Sequence, residues 1–225
     1  KEKMKKIEKF VIDFAGRKIE VEIGKLAPQA NAAVTVRYGD TEVLATVVSP
    51  KQKRSEDIDF LPLTVDYEER YYAAGKIRGP RYIRRESRPS DEAICNARLI
   101  DRAIRPRFPQ YLSREVQVVN TVLSWDAEND PDIPGIIATS LSLSISDIPW
   151  SGPVAAIRIG RKDGQFILNP SYADREKSDM DLFLSAGLDP SGALLVNMVE
   201  GNFEEAEENL ISEALEFSRE TLKQI

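Results

Sequence analysis

Tyr82-Ile83-Arg84-Arg85-Glu86-Ser87-Arg88-Pro89-Ser90-Asp91-Glu92-Ala93-Ile94-Cys95-Asn96-Ala97-Arg98-Leu99-Ile100-Asp101-Arg102-Ala103-Ile104-Arg105-Pro106 begins as a loop and ends as a helix. Ser90 supplies a capping hydroxyl, Asp91 and Glu92 put acids in the first turn, and Pro106 stops the helix. The spacing predicts a helix over 90–104 with Ala93, Ile94, Ala97, Ile100 and Ile104 as its buried stripe and Cys95 as inert packing. At about 100° per residue, Arg98, Arg102 and Arg105 fall within an arc of roughly 60° on one face. Like charges so placed repel, and Asp101 can neutralise only one of them.

Between Lys76 and Arg107 the chain carries ten basic residues, nine of them arginine, against Glu86, Asp91, Glu92 and Asp101. That segment is +6 in a chain of net charge −6, so the remainder carries −12. A focused reversal of sign points to an anion-binding surface, with the acidic remainder repelling polyanions elsewhere. Arginine suits phosphate because its planar fork pairs with two oxygens and also stacks on bases. Tyr71, Tyr72 and Tyr82 alternate with these arginines, a pattern used to grip single-stranded nucleic acid without reading its sequence.

Outward from this segment the pattern is mostly strands. Residues 10–14 and 19–23 flank a turn at Ala15-Gly16-Arg17, and 32–38 and 43–48 flank Gly39-Asp40. Further strands are expected at 60–66, 116–123, 154–160, 165–168, 181–186 and 193–198, the last two buried. Trp125 to Gly135 reads as an acidic, proline-broken loop, and 136–148 as a helix whose Ala138, Ser140, Ser142 and Ser144 permit close packing. Residues 203–225 read as a closing amphipathic helix with Ala206, Leu210, Ile211, Ala214, Leu215 and Leu222 inward. The order of elements implies an α+β or mixed α/β class with one core, so 1–225 is expected to be a single domain.

Composition excludes several chemistries. There is no histidine, which rules out Ser-His-Asp and Cys-His catalysis and every His-ligated zinc site. The single cysteine, Cys95, allows no intrachain disulfide, and this fits a reducing cytoplasm. No apolar run approaches the ~18 residues of a membrane span, so no membrane partner is expected. A chain with Met4 preceded by three residues is expected to be a trimmed fragment.

The run from Tyr82 to Ser90, with Ala97-Arg98-Leu99-Ile100-Asp101-Arg102 and Ile104-Arg105-Pro106, resembles the first ribonuclease PH-like core of the bacterial polynucleotide phosphorylase (polyribonucleotide nucleotidyltransferase) family. Phe60-Leu61-Pro62-Leu63-Thr64-Val65, Tyr67-Glu68-Glu69-Arg70 and Tyr72-Ala73-Ala74-Gly75 extend the likeness, and so does the run from Ser144 to Pro153. Two phenylalanines usual in the family are Tyr82 and Ile83 here, and a glycine is Ser87. The resemblance implies a ribonuclease PH-like core of the ribosomal protein S5 domain 2-like fold, the first of two in a longer chain, with 203–225 leading toward a helical domain. It implies phosphate-dependent 3′ to 5′ exoribonuclease activity in RNA degradation, releasing nucleoside diphosphates, in a homotrimeric ring with inorganic phosphate as nucleophile and Mg2+ or Mn2+ in the second core.

On that resemblance Arg84, Arg85, Arg88 and Tyr82 are expected to contact single-stranded RNA at a channel neck. Arg98 and Arg102 are expected to reach deeper, with Arg105 a further RNA contact or a cap on carbonyls. The active core of the family holds phosphate in a Ser-rich loop and a metal on an Asp-Asp-Lys triad; here the corresponding positions are Asp126 to Pro134, and Arg175, Asp181 and Phe183. This core is therefore expected to bind RNA without cutting it and to hold no metal. The alternatives are a self-sufficient ribonuclease PH-like enzyme and a non-catalytic scaffold subunit of an exosome-like ring.

Overall fold

Short-range alternation builds two sheets, and one helix fills the space between them. The computed structural model describes residues 7–51, 60–77, 79 and 88–225. The first sheet has strand order β1-β2-β3-β4-β6-β5, with β1 Glu8–Phe14, β2 Arg17–Ile23, β3 Ala32–Tyr38, β4 Thr41–Val48, β5 Leu63–Glu68 and β6 Val116–Ser124. All neighbours are antiparallel except β5, which runs parallel to β6 with Leu63 opposite Val116 and Glu68 opposite Thr121. The tight turn joining β1 to β2 needs two residues at positive φ, and Ala15 (49°) and Gly16 (76°) supply them. The second sheet is antiparallel with order β10-β9-β7-β8, from β7 Val154–Lys162, β8 Gln165–Leu168, β9 Met180–Leu188 and β10 Leu194–Phe203.

Helix α2, Asp132–Ile145, packs on β3 and β4 of the first sheet and on β7 of the second. A helix between two layers must be apolar or internally satisfied on every side. Ile136, Ile137, Ala138 and Leu143 are buried, and the small polar residues are bonded to both sheets. Thr139 Oγ1 donates to Asn120 Oδ1 (3.0 Å), Ser142 Oγ donates to the Ala45 carbonyl (3.2 Å), and Ser140 Oγ accepts from the Val154 amide (2.8 Å). Helix α1, Asp91–Ile104, lies on β5 and α2; α3 is the single turn Tyr172–Arg175; α4, Glu208–Gln224, covers β7 and β8. One connected apolar cluster includes residues of both sheets.

Several sequence expectations are corrected. Helix α2 starts at Asp132, four residues early, because Pro134 sits in the first turn where no amide is required. Strand β5 starts at Leu63, since Phe60 is 63% exposed. Strand β10 is an exposed edge strand that continues to Phe203, so α4 begins only at Glu208. In α1 the buried face is Ala93, Leu99, Ile100, Ala103 and Ile104. Ile94 is 45% exposed, because four residues along a helix return it to within roughly 40° of Arg98. Cys95 is exposed and free, which overturns the expectation that it packs inside.

Candidate nucleic-acid interface

Helix α1 is set by its cap. Ser90 Oγ accepts from the Ala93 amide (3.0 Å) and donates to Glu69 Oε2 (2.7 Å), fixing the helix start beside the end of β5. With one face buried, the opposite face presents Ile94, Arg98, Arg102 and Arg105. These arginines differ sharply in what they already hold. Arg105 grips Asp101 through two bonds, Nη2 to Oδ1 at 2.6 Å and Nε to Oδ2 at 2.8 Å. It also donates to the carbonyls of Leu61 (3.4 Å) and Leu63 (3.2 Å), so it ties α1 to the start of β5. Arg102 donates to Glu200 on β10 at 2.8 Å, with both groups exposed. Neither Arg88 nor Arg98 has an ion pair or hydrogen bond to a described residue, and both line the same cavity. Tyr82, Arg84 and Arg85 lie outside the described residues.

That cavity, of about 1050 Å³, opens between the end of β5, the 3-10 turn Tyr71–Ala74, the exposed side of α1 and the loop before α2. Lys76, Arg88 and Arg98 are among its walls, while Tyr67, Trp125, Tyr172 and Asp130 bring aromatic and buried polar groups to it. Trp125 and Tyr172 meet edge to face with ring centres 6.0 Å apart. Burial, with Asp132 and Asp130 close by, pushes the Tyr67 phenol well above its usual pKa. Burial and the same two carboxylates raise Tyr172. Both therefore stay protonated as donors. The sequence reading missed Tyr67, Trp125 and Tyr172, which are distant in sequence and converge only through β5, the loop before α2 and α3.

At the start of α2 the chain supplies its own anions. Asp126 accepts from the amides of Asp40 (3.1 Å), Glu128 (2.9 Å) and Asn129 (2.7 Å) and from Thr41 Oγ1 (3.0 Å). Burial works to raise this carboxyl, but those bonds and the Asn129 amide group hold it below the usual range. Asp132 is fully buried and bonded to Arg158 Nη2. Arg158 Nη1 reaches both Asp181 oxygens (2.8 and 3.0 Å), and Arg175 bridges Asp130 (2.6 Å) and Asp181 (2.8 Å).

Two guanidinium groups thus face three carboxylates, and the surplus negative charge has a visible consequence. Burial and the neighbouring Asp132 raise Asp130 to about 7, against the pull of Arg158 and Arg175. For Asp181 burial is outweighed by the two arginines, which hold it low.

These positions do not fit a divalent metal. Asp179 is bonded to Arg161 (2.8 Å), Asp181 is committed to two arginines, and the third position is the buried Phe183. Among the described residues no cluster of three metal-ligating side chains exists. Nor does the α2 start offer free donors to a phosphate, because its own carboxylates occupy them.

Comparison with known proteins places this geometry. The model of the 3′ exoribonuclease family, domain 1, matches residues 15–149, and that of domain 2 of the same family matches 152–221. The boundary between them falls between α2 and β7, where the chain passes from the first sheet to the second. The polyribonucleotide nucleotidyltransferase of Anoxybacillus flavithermus is 50% identical over 216 residues, covering 96% of this chain and 30% of its own length. That of Halalkalibacterium halodurans is 49% identical with the same coverage of both chains. The chain thus spans about 30% of the length of these curated relatives.

Among solved structures, an Archaeoglobus fulgidus exosome with RNA bound to the active site superposes with a TM-score of 0.72 at 18% identity, covering 92% of this chain and 86% of that one. Rice (Oryza sativa) Rrp46 gives 0.65 at 16%, covering 99% and 91%. At such identities the likeness is one of fold, and it agrees with the ribonuclease PH-like α+β architecture found here. With both of its domain models matched in order, the chain belongs to the 3′ exoribonuclease family.

Proposed function

We propose that this chain is the RNA-holding first core of a polyribonucleotide nucleotidyltransferase, a phosphate-dependent 3′ to 5′ exoribonuclease, and that it grips the strand without cutting it. The observation that carries this reading is the division of the arginines. Arg158 and Arg175 are saturated by Asp130, Asp132 and Asp181, whereas Arg88 and Arg98 have no partner among the described residues. Saturated arginines hold the fold together; unpartnered ones beside the most basic segment of an acidic chain are available to phosphates. Arg84, Arg85 and Tyr82 join the same grip on the strength of the sequence. Arg102 joins it by exchanging exposed Glu200 for a phosphate, while Arg105 is a brace.

The chemistry then belongs to a second core of the longer chain, which supplies the phosphate site and a divalent metal, Mg2+ or Mn2+, in a cytoplasmic homotrimer. What this core contributes is orientation: the backbone is held by point contacts that tolerate any base, so the 3′ end is delivered while sequence goes unread. Binding of poly(A) to the chain should weaken as salt rises. Replacing both Arg88 and Arg98 with alanine should flatten the log–log salt dependence by about one to two ions. An unchanged slope sinks the grip. With inorganic phosphate and Mg2+, the chain alone should release no ADP from poly(A), and release would overturn the non-catalytic assignment.

A further inference from the structure

Buried polar groups in folded proteins almost always have partners, so an exception asks what is missing. Tyr67 is such an exception: it is 3% exposed, its hydroxyl has no hydrogen-bond partner among the described residues, and it lines the large cavity. Kept protonated by its surroundings, it is a donor without an acceptor among the described residues. Trp125 Nε1, on the same wall, is also buried outside bonding geometry to any described acceptor, although it lies near enough to the Tyr172 hydroxyl to temper that group's rise.

The charges around the cavity can be sorted by what they already hold. Glu68 is held by Arg70 and Thr121, Asp101 by Arg105, Asp130 by Arg175 and Glu69 by the Ser90 hydroxyl. Among the described residues Lys76, Arg88 and Arg98 remain as cations without a carboxylate partner, against Asp66, Glu69 and Glu92 as carboxylates without a cation, Asp66 being bonded to Gln117. The cavity thus combines aromatic faces, buried donors without a partner among the described residues, and three cations, Lys76, Arg88 and Arg98, that no described carboxylate holds. A ligand that answers all three carries a flat ring with acceptor atoms at one end and a multiply charged anion at the other. A volume of about 1050 Å³ accommodates such a molecule with water to spare.

We propose that this cavity is a nucleotide-binding site, with the base against Tyr172 and Trp125, an acceptor of the base on the Tyr67 hydroxyl, and the phosphates on Arg88 and Arg98. It goes beyond the grip on the RNA backbone, sharing with it only the free state of Arg88 and Arg98. The nucleotide is either free in solution or one unit of a strand, and the two sources have the same recognition chemistry.

Titration calorimetry of the 225-residue chain with ADP and with the trinucleotide of adenosine tests it. Saturable binding of either is expected, ADP marking a free nucleotide and the trinucleotide alone marking a strand. Tyr67→Phe should lower that affinity at least fivefold while leaving the melting temperature unchanged or higher, because the deleted hydroxyl has no bond to a described residue to lose. A purely structural tyrosine would show the opposite pair of effects. Arg98→Ala should also weaken binding severalfold. Absence of binding by both ligands, or full affinity in Tyr67→Phe, overturns the proposal. Loss of poly(A) affinity in Arg98→Ala without any ADP or trinucleotide binding would leave the RNA grip standing and remove the nucleotide site. ADP binding in a chain whose poly(A) affinity ignores Arg98 would do the reverse.

Discussion

Among the described residues Arg98 has no partner because Arg105 has taken one. Three residues beyond Arg98 on the same helix stands Asp101, within reach of it as an i,i+3 partner, yet Asp101 is taken side-on by Arg105 in the more favourable i,i+4 arrangement with the acid first. In the proposed RNA grip Arg105 would act through this capture, as a positioning residue. Arg105→Ala should release Asp101 to Arg98 and lower poly(A) affinity about two- to fivefold, in keeping with an exposed pair worth under ~1 kcal/mol. The double variant Asp101→Asn/Arg105→Ala should recover most of that affinity. Filter-binding titrations of the two variants separate this from direct contact, which the second substitution could not repair. The arginine face itself was legible in the sequence from angular spacing alone. Its division into held and free members was not, since Leu61, Leu63 and Glu200 come from strands that no local pattern brings to α1.

Helix α2 shows the same limit one level up. Its small residues Ala138, Ser140 and Ser142 announced close packing, and the structure uses them between two sheets, although Ser144 is exposed and bonds only to the Ser140 carbonyl at 2.8 Å. Its first turn was hidden by two prolines and four acids that read as loop, because two of those acids, Asp132 and Asp130, are paired with Arg158 and Arg175 from the second sheet and α3. The coupling of α2 to β6 rests on Thr139 and Asn120, both fully buried, and Asn120 Nδ2 already lacks a partner among the described residues. Thr139→Val keeps the shape and removes the remaining bond to Asn120. It should destabilise the chain by about 1–3 kcal/mol, the cost of a buried polar group left unsatisfied. Urea denaturation should show this as a lower midpoint with an unchanged slope.

Across the whole molecule, hairpins between sequence neighbours were readable from turns and alternation, whereas the placement of β6 between β4 and β5, parallel to β5, was not. That pairing is decided by the α1 crossover, which is a long-range fact. The second sheet is joined electrostatically to the α2 start and α3: Arg158 and Asp181 lie on β7 and β9, Asp130 just before and Asp132 at the start of α2, and Arg175 on α3. With three acids for two bases, folding raises Asp130 from 3.8 to about 7. The folded chain then binds more protons at this site than the unfolded chain between those values, so stability from Asp130 falls as pH rises from about 4 through 7. Asp126 and Asp181 are shifted downward and act oppositely, losing their contribution only as pH falls below the ordinary carboxylate range. The two windows do not overlap. Asp130→Asn should therefore remove the decline between pH 5 and pH 8 while leaving acid unfolding below pH 4 in place, because the amide oxygen still accepts from Arg175 without adding a third negative charge. Melting temperatures of both chains across pH 4–8 decide the matter, and parallel curves would mean that Asp130 is already ionised throughout.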